Sequence, residues 1–196
     1  MGPALLLASN SPRRRELLLE AGFEFEIFAP EIDERFDVDL TLRELTAFNA
    51  IRKAMAAARP RKGNVVLAAD TLVSIDNHVL GKPTDKNEAV MMLERLSARA
   101  HDVCTSVFIC RLAGARSIGL HEISRVYFRK LTRTRIDNYL ERVNPLDKAG
   151  AYAAQGFGSE IIEKIDGSYT NVVGLPMEKV IPALAEFGIT PKAQNC

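Results

Sequence analysis

Three consecutive arginines, Arg13 to Arg15, follow Ser11 and Pro12 and are the first residues whose types suggest chemistry. A serine at the N-cap and a proline at the first helical position predict that a helix begins here. The arginines would then lie in its first turn, where the helix dipole makes cations unfavourable. A bound phosphate would offset this cost, because free backbone N–H groups point to the same place. The alternative is a solvated basic turn paired with Glu16 or Glu20.

Carboxylates form the second group. Asp70 closes the apolar run that begins at Asn64, and the pair Asp33 and Glu34 lies on a loop after a predicted strand. Ligands of α/β proteins gather at the carboxyl ends of strands. An acid at that place can bind Mg²⁺ or accept a proton from water. An Asx turn at Asp70 and an ordinary surface loop at Asp33 and Glu34 are the alternatives.

Three lysines stand in unusual surroundings. Lys53 lies one and two turns after Asn49 and Thr46, on a polar stripe of a predicted helix. Lys82 lies between a glycine and a proline, and Lys148 begins the motif KAGAY. Each lysine, taken alone, is more typical of a solvated surface than of a binding site.

The elements that must position these residues alternate between strands and helices. Strands are predicted at Ala4–Ser9, Phe23–Phe28, 64–70, 103–110, 123–128 and Ile161–Ile165, the two long ones at 103–110 and 123–128 forming a possible pair. Further helices are predicted after Asp85, near Thr134–Val143, and from Met177 to Phe187 with Gly188 as the stop. This order favours an α/β fold with a mixed sheet.

One helix carries a clear start signal. Thr41 and Glu44 form a capping-box pattern, and Asp85 and Glu88 resemble a second one. The second helix has Ala89, Met92, Leu93 and Leu96 at helical spacing, and the first is expected to bury Leu45, Phe48, Ile51 and Met55.

Composition excludes several function classes. The chain has 196 residues, 47% of them hydrophobic and 26% charged, which fits one domain or one core in two lobes. A net charge of +1 argues against nucleic acid or a membrane as partner. No apolar stretch approaches the roughly 18 residues of a membrane span, and the start lacks the features of a signal peptide. The expected location is the cytoplasm.

Familiar catalytic and metal motifs are missing from the sequence. It contains neither a Walker A pattern nor GxGxxG, and His78, His101 and His121 show no metal-ligand spacing. Cys104, Cys110 and Cys196 match no zinc or redox pattern, so core packing in a reducing compartment is expected for the first two.

Taken together, the motifs resemble the Maf family of nucleoside triphosphate pyrophosphatases. The resemblance runs through LLLASNSPRRRELL, PEIDE, AADTLV, LGKPTD, DKAGAYAAQG and DGSYTNVVGLPM, and covers all but the last few residues. It implies a single domain over residues 1–196, elongated and two-lobed, similar in fold to inosine triphosphate pyrophosphatases, with the active site in a cleft between the lobes. One departure is Ala98, where the family usually has a glycine.

The resemblance also implies roles for individual residues. Asp70 would accept the proton of water, Glu34 and Asp70 would hold Mg²⁺ or Mn²⁺, and Lys53 would join them as a catalytic residue. The trio Arg13, Thr71 and Gln155 is similar to the branch that acts on dTTP and UTP, rather than the sister branch that prefers 7-methyl-GTP. The residues implied to bind the substrate are Ser9, Arg13, Arg14, Thr71, Lys82 and Gln155.

The expected function is therefore hydrolysis of a nucleoside triphosphate, dTTP or UTP first, to the monophosphate and pyrophosphate. Housecleaning of modified pyrimidine nucleotides is compatible with it, and the family suggests a homodimer. Two alternatives stay open: a pyrophosphatase for non-canonical purine triphosphates, and a nucleotide-binding regulator of cell division and septum formation. Clustered acids and bases favour catalysis, because binding alone needs no carboxylate pair beside a phosphate site.

Overall fold

The structure is a computed structural model that describes residues 4–35 and 39–192. Cys196 lies outside the described residues. The strands are β1 (Leu5–Leu7), β2 (Glu26–Ile27), β3 (Val65–Ile75), β4 (His78–Leu80), β5 (Ala100–Arg111), β6 (Arg116–Phe128) and β7 (Ile162–Asp166). The helices are α1 (Pro12–Glu20), α2 (Leu42–Ala58), α3 (Lys86–Leu96), α4 (Arg133–Arg142), α5 (Tyr169–Val173) and α6 (Met177–Ala185), with short 3₁₀ turns at Arg59–Arg61, Ala149–Ala151 and Gly156–Glu160.

The strands form one mixed sheet in the order β2-β1-β3-β5-β6-β7, with β4 paired to β3. β1 runs parallel to β2 and β3, whereas β4 is antiparallel to β3 and β7 is antiparallel to β6. The mixed α/β class predicted from the sequence is confirmed, and β5 and β6 are neighbours as expected. No helix in the described ranges is long and apolar enough to cross a membrane.

The chain divides into two compact units. The first contains the described residues up to Asp70, Thr105–Glu122 and the residues from Gly174 onward, and the second contains Thr71–Cys104 and Ile123–Val173.

In the first unit, helix α2 packs on β1 and β3 through alanines. Ala54, Ala57 and Ala58 are fully buried in one cluster with β1 and β3 side chains. The expected apolar face of α2 is partly wrong, because Phe48 and Ile51 are 41% and 40% exposed. Alanine lets the helix approach the sheet closely, so the face with small residues is buried instead. The polar stripe of Thr46, Asn49 and Lys53 belongs to that inward side, since Thr46 and Asn49 are buried.

Several predicted strands have different bounds in the structure, and the change in β3 bears on the site. β3 does not end at Asp70 but continues to Ile75, because the apolar and β-branched residues after Asp70 pair with β4 from Val73 onward. The segment Phe23–Phe28 contributes only the two exposed residues of β2. Asp70 is therefore a mid-strand residue, while the parallel neighbour β1 already ends at Leu7.

Helix α3, in the second unit, has the start and the buried face that the sequence predicted. Its N-cap Asp85 accepts a hydrogen bond from the Glu88 N–H (2.8 Å), and Ala89, Met92, Leu93 and Leu96 are buried. After α3, Ala98 adopts φ of +57°, the left-handed conformation that a glycine adopts without strain. The alanine therefore keeps a turn that glycine would make more easily.

Candidate active site

A lysine and two carboxylates form the centre of the site in the first unit. Lys53 Nζ lies 2.6 Å from Glu34 Oε1 and 2.6 Å from Asp70 Oδ1. The side chains are 14%, 22% and 4% exposed, respectively, so the cluster is shielded from water on most sides. One ammonium serves two carboxylates, and the trio carries a net charge of −1. Residues that the sequence presented as separate features thus make one charged group.

Each member of the trio comes from a different element. β3 carries Asp70, the inward face of α2 carries Lys53, and the irregular segment before α2 carries Glu34. The capping box at Thr41 fixes the start of α2: Glu44 N–H donates to Thr41 Oγ1 (3.3 Å) and Thr41 N–H donates to Glu44 Oε2 (2.9 Å). The capping box fixes where α2 begins, and packing of the helix on the sheet leaves the Lys53 side chain only 14% exposed.

The segment with Glu34 is tied to α2 by two further side chains that sequence reasoning did not select as functional. Arg52 Nη1 donates to the carbonyl oxygen of Asp33 at 2.7 Å, and Asn49 exchanges hydrogen bonds with the main chain of Arg35. Asn49 Nδ2 also donates to Asp70 Oδ2 at 3.2 Å. Asp33 itself is exposed, so of the predicted carboxylate pair only Glu34 joins the trio.

The three arginines of α1 differ in their surroundings. Arg14 Nη1 donates to Ser9 Oγ (3.0 Å) and Arg14 Nε donates to the Gly174 carbonyl (2.9 Å). Burial lowers the pKa of the Arg14 guanidinium, while the negative charges of Asp70 and Glu34 raise it. This interaction places Arg14 within the electrostatic reach of both carboxylates. Arg13 is half-buried and Arg15 is exposed.

Helix α1 begins where the sequence predicted, but its N-cap differs from the expected one in its hydrogen bonding. Ser11 is the N-cap and Pro12 follows at the first helical position, but the Ser11 side chain makes no capping hydrogen bond. The buried Ser9 accepts from Ser11 N–H through its Oγ (3.2 Å) as well as from Arg14. Ser9 is therefore a fixed anchor for the basic turn.

The remaining predicted site residues belong to the second unit. Thr71 follows Asp70 on β3 and is half-buried, Lys82 is exposed, and Gln155 is the half-buried N-cap of a 3₁₀ turn. The loops with Lys82 and Gln155 are joined inside this unit, because Gly150 N–H donates to the Gly81 carbonyl (3.0 Å). Their contribution to substrate binding stays a prediction.

No histidine or cysteine of the described residues belongs to the trio of Lys53, Glu34 and Asp70. Cys104 and Cys110 are buried free thiols. His78 is exposed, whereas His101 is buried and hydrogen-bonded to the Tyr152 hydroxyl at 2.7 Å. Within residues 4–35 and 39–192, no three His, Cys, Asp or Glu side chains group as ligands for a metal ion.

Two carboxylates remain as oxygen donors, and they suit a hard divalent cation. Glu34 Oε1 and Asp70 Oδ1 lie within about 5 Å of each other, because both contact the same ammonium. Mg²⁺ is usually bound by one or two carboxylates together with substrate phosphates, and it does not need a complete protein cage. The donor set fits such an ion when a polyphosphate supplies the other oxygens.

Comparison with known proteins places this chain in a family. The model of the Maf-like protein family matches residues 4–187. The chain belongs to the Maf family. Among relatives with curated names, a dTTP/UTP pyrophosphatase of Symbiobacterium thermophilum is 45% identical over 184 residues, covering 94% of this chain and 94% of that protein. A dTTP/UTP pyrophosphatase of Desulforamulus reducens is 40% identical over 185 residues, covering 94% and 97%.

The fold of this Maf protein is also found outside the family. A HAM1 protein from Coxiella burnetii superimposes with a TM-score of 0.56 at 16% sequence identity, over 94% of this chain and 99% of that one. At that identity the likeness concerns the fold alone.

Proposed function

We propose that this Maf protein hydrolyses nucleoside triphosphates to the monophosphate and pyrophosphate, with dTTP and UTP as preferred substrates. The contact of Lys53 with both Glu34 and Asp70 carries the proposal, because it joins two shielded carboxylates in one charged group. Such groups are expensive to bury and mark candidate functional sites. The names of the relatives at 40% and 45% identity support the reaction and the pyrimidine preference.

The chemistry requires a proton acceptor and cations. Water attacks the α-phosphorus, the bond from that phosphorus to the bridging oxygen breaks, and pyrophosphate leaves with the electron pair. Asp70 accepts the proton of the attacking water. Its oxygens already accept hydrogen bonds from Lys53 and Asn49, but each carboxylate oxygen has two lone pairs and can accept again.

The charge of the triphosphate is met by protein cations and by a divalent ion. Arg13, Arg14 and Lys82 would bind the phosphate oxygens, since guanidinium and ammonium groups are the standard partners of phosphate. Mg²⁺ or Mn²⁺, held by Glu34 and Asp70, would neutralise charge that develops on the phosphates. Ser9 keeps the Arg14 guanidinium in place, as their 3.0 Å hydrogen bond indicates.

The preference for pyrimidines rests on Arg13, Thr71 and Gln155. Uracil and thymine present an acceptor–donor–acceptor edge, and an amide such as that of Gln155 offers both a donor and an acceptor. Cytosine presents a different edge, so CTP would leave a polar group unpaired at a cost of about 1–3 kcal/mol. A pocket shaped for one ring also excludes ATP and GTP.

The test is a panel of dTTP, UTP, CTP, ATP and GTP with pyrophosphate release as the readout. We expect the highest kcat/KM for dTTP and UTP with Mg²⁺ or Mn²⁺, and loss of turnover in excess EDTA that is restored by added metal. Full turnover in EDTA would contradict the metal role. If ATP or GTP were best, the pyrimidine preference would be wrong. An absence of pyrophosphate release from every nucleotide would favour a binding protein instead.

A further inference from the structure

Asn49 is a buried amide whose polar atoms are all used. It is 2% exposed and lies on α2, one turn before Lys53. Its Oδ1 accepts from the Arg35 N–H at 3.0 Å, and its Nδ2 donates to the Arg35 carbonyl at 3.1 Å. The second hydrogen of Nδ2 is directed to Asp70 Oδ2 at 3.2 Å. One side chain therefore holds both a main-chain segment and a carboxylate.

The orientation of this amide is determined by its partners. Rotating the amide by 180° would place Oδ1 against the carbonyl oxygen of Arg35 and the carboxylate of Asp70, and would leave Nδ2 facing the Arg35 N–H. All three contacts would become repulsive, and burial prevents water from replacing them. The observed arrangement is the one in which every donor meets an acceptor.

These hydrogen bonds restrict the two carboxylates of the trio. Asp70 is held at both oxygens, by Lys53 at Oδ1 (2.6 Å) and by Asn49 at Oδ2 (3.2 Å), so rotation about its side chain is blocked. The paired hydrogen bonds to Arg35 fix the main chain of the residue directly after Glu34. Asn49 thus links the base on β3 with the segment that presents the second carboxylate.

We propose that Asn49 is a positioning residue that sets the orientation of Asp70 and the place of Glu34 relative to it. The proposal rests on the proposed function for its effect on turnover, while the link to Arg35 can be measured without any substrate. Because Asn49 contacts the carboxylates rather than the arginines assigned to phosphate binding, its loss should lower kcat more than it raises KM.

The test compares Asn49→Leu with Thr46→Val. Leucine has nearly the shape of asparagine and none of its hydrogen bonds. Thr46 is buried one turn earlier on α2, where its Oγ1 bonds to Ser106 Oγ (2.7 Å) and to the Leu42 carbonyl (3.0 Å), so valine removes buried hydrogen bonds of a similar kind. Melting temperature, kcat and KM for dTTP, and hydrogen–deuterium exchange of the Arg35 amide are measured for both variants.

We expect Asn49→Leu to lower kcat by about 10- to 100-fold with KM nearly unchanged, because small displacements of reacting groups cost this much. The Arg35 amide should exchange about tenfold faster, since its acceptor is lost. Thr46→Val should retain kcat and the protection of Arg35, although it also lowers the melting temperature. Asn49→Ser, whose short hydroxyl cannot bridge both partners, replaces the leucine variant if that variant does not fold.

Two results would overturn the proposal. One is unchanged exchange at Arg35 in the Asn49 variants, which would mean that the amide does not hold the segment. The other is an equal loss of kcat in Thr46→Val, which would show that any buried hydrogen bond of α2 matters to the same extent. An inactive wild-type chain would instead count against the proposed function, and the exchange at Arg35 would still decide whether Asn49 holds the segment.

Discussion

Each unit of this Maf protein buries a titratable side chain, and the two side chains have different surroundings. In the first unit, Asp70 is buried with the Lys53 ammonium at 2.6 Å and Glu34 on the other side of that ammonium. In the second unit, His101 is buried against the rings of Phe128 and Tyr152, with centroids 4.9 Å and 5.4 Å away. Burial and the positive charge of Arg125 lower the pKa of His101 to about 3, so it is neutral at physiological pH.

The difference separates chemistry from packing. In the first unit, Asp70 accepts hydrogen bonds from Lys53 and Asn49, and Lys53 also binds the carboxylate of Glu34. In the second unit, Nε2 of His101 is hydrogen-bonded to the Tyr152 hydroxyl at 2.7 Å, while its Nδ1 is buried without a hydrogen-bond partner among the described residues. In this protein the buried carboxylate contacts polar and charged side chains of the candidate site, whereas the buried imidazole contacts aromatic rings of the core.

Among the tests of this comparison, replacing Asp70 has the largest expected effect, which is a loss of turnover. Asp70→Asn keeps the shape and removes the charge and the basicity, so we expect kcat to fall by about 10²–10⁴-fold while the chain still folds. Pyrophosphate release and circular dichroism measure the two quantities. The control is Asp102→Asn, which removes an exposed carboxylate paired with Arg125 at 3.1 Å and should leave kcat unchanged. Near-normal turnover of Asp70→Asn would make Asp70 a structural residue like His101.

The histidine gives a smaller effect, seen in stability rather than turnover. The folded pKa of His101 lies below its unfolded value near 6.5, so the stability from its neutral form is complete above pH 6.5 and is lost as pH falls towards 3. Between pH 7 and pH 5 this one group should lower the free energy of unfolding by about 2 kcal/mol.

Urea unfolding at pH 7 and pH 5 measures this contribution. His101→Gln cannot be protonated, so the difference between the two pH values should shrink by about the amount that the histidine contributes in wild type. His78→Gln, at an exposed position, serves as the control and should keep the wild-type difference. The same pH dependence in all three proteins would show that His101 is not a neutral group in the fold.

The sequence predicted the mixed sheet and the members of the trio, but not their arrangement. Alternation of strands and helices identified the fold class, and the capping box located α2 correctly. The apolar face of α2 was misjudged, because periodicity weighs large residues such as Phe48 whereas close packing selected alanines. Asn49 was therefore not selected from the sequence, because a polar stripe on a helix is expected to face solvent unless the opposite face is known to be exposed.

Motif residues also divide into two kinds that the sequence cannot distinguish. Asn171, in the motif GSYTN, is fully buried and donates to the Val103 carbonyl (3.0 Å) and to Ser124 Oγ (2.8 Å). Gly167 in the same motif has φ of +111°, and a side chain there would meet Ser124 Oγ at 2.9 Å. These residues keep the second unit packed. The structure is needed to distinguish these packing contacts from the contacts around Asp70.

The smallest expected effect concerns the arginines of α1. The comparison is between a half-buried cation that could make a defined contact and an exposed cation that adds only to the local positive charge. Arg13 and Arg15 lie in the same first turn and carry the same charge, but Arg13 is half-buried and Arg15 is exposed. If the turn binds the triphosphate through defined contacts, Arg13→Ala should raise KM for dTTP by about tenfold, the value of one charge-assisted hydrogen bond that is partly open to water. Arg15→Ala should change KM by less than about twofold, because solvent screens an exposed charge.

The melting temperature of the nucleotide-free protein should stay level or rise in both variants, since a cation leaves the positive end of a helix dipole. Equal rises in KM would mean that the turn acts as a diffuse positive field, and a lower melting temperature of Arg13→Ala with unchanged KM would mean that Arg13 is a structural residue.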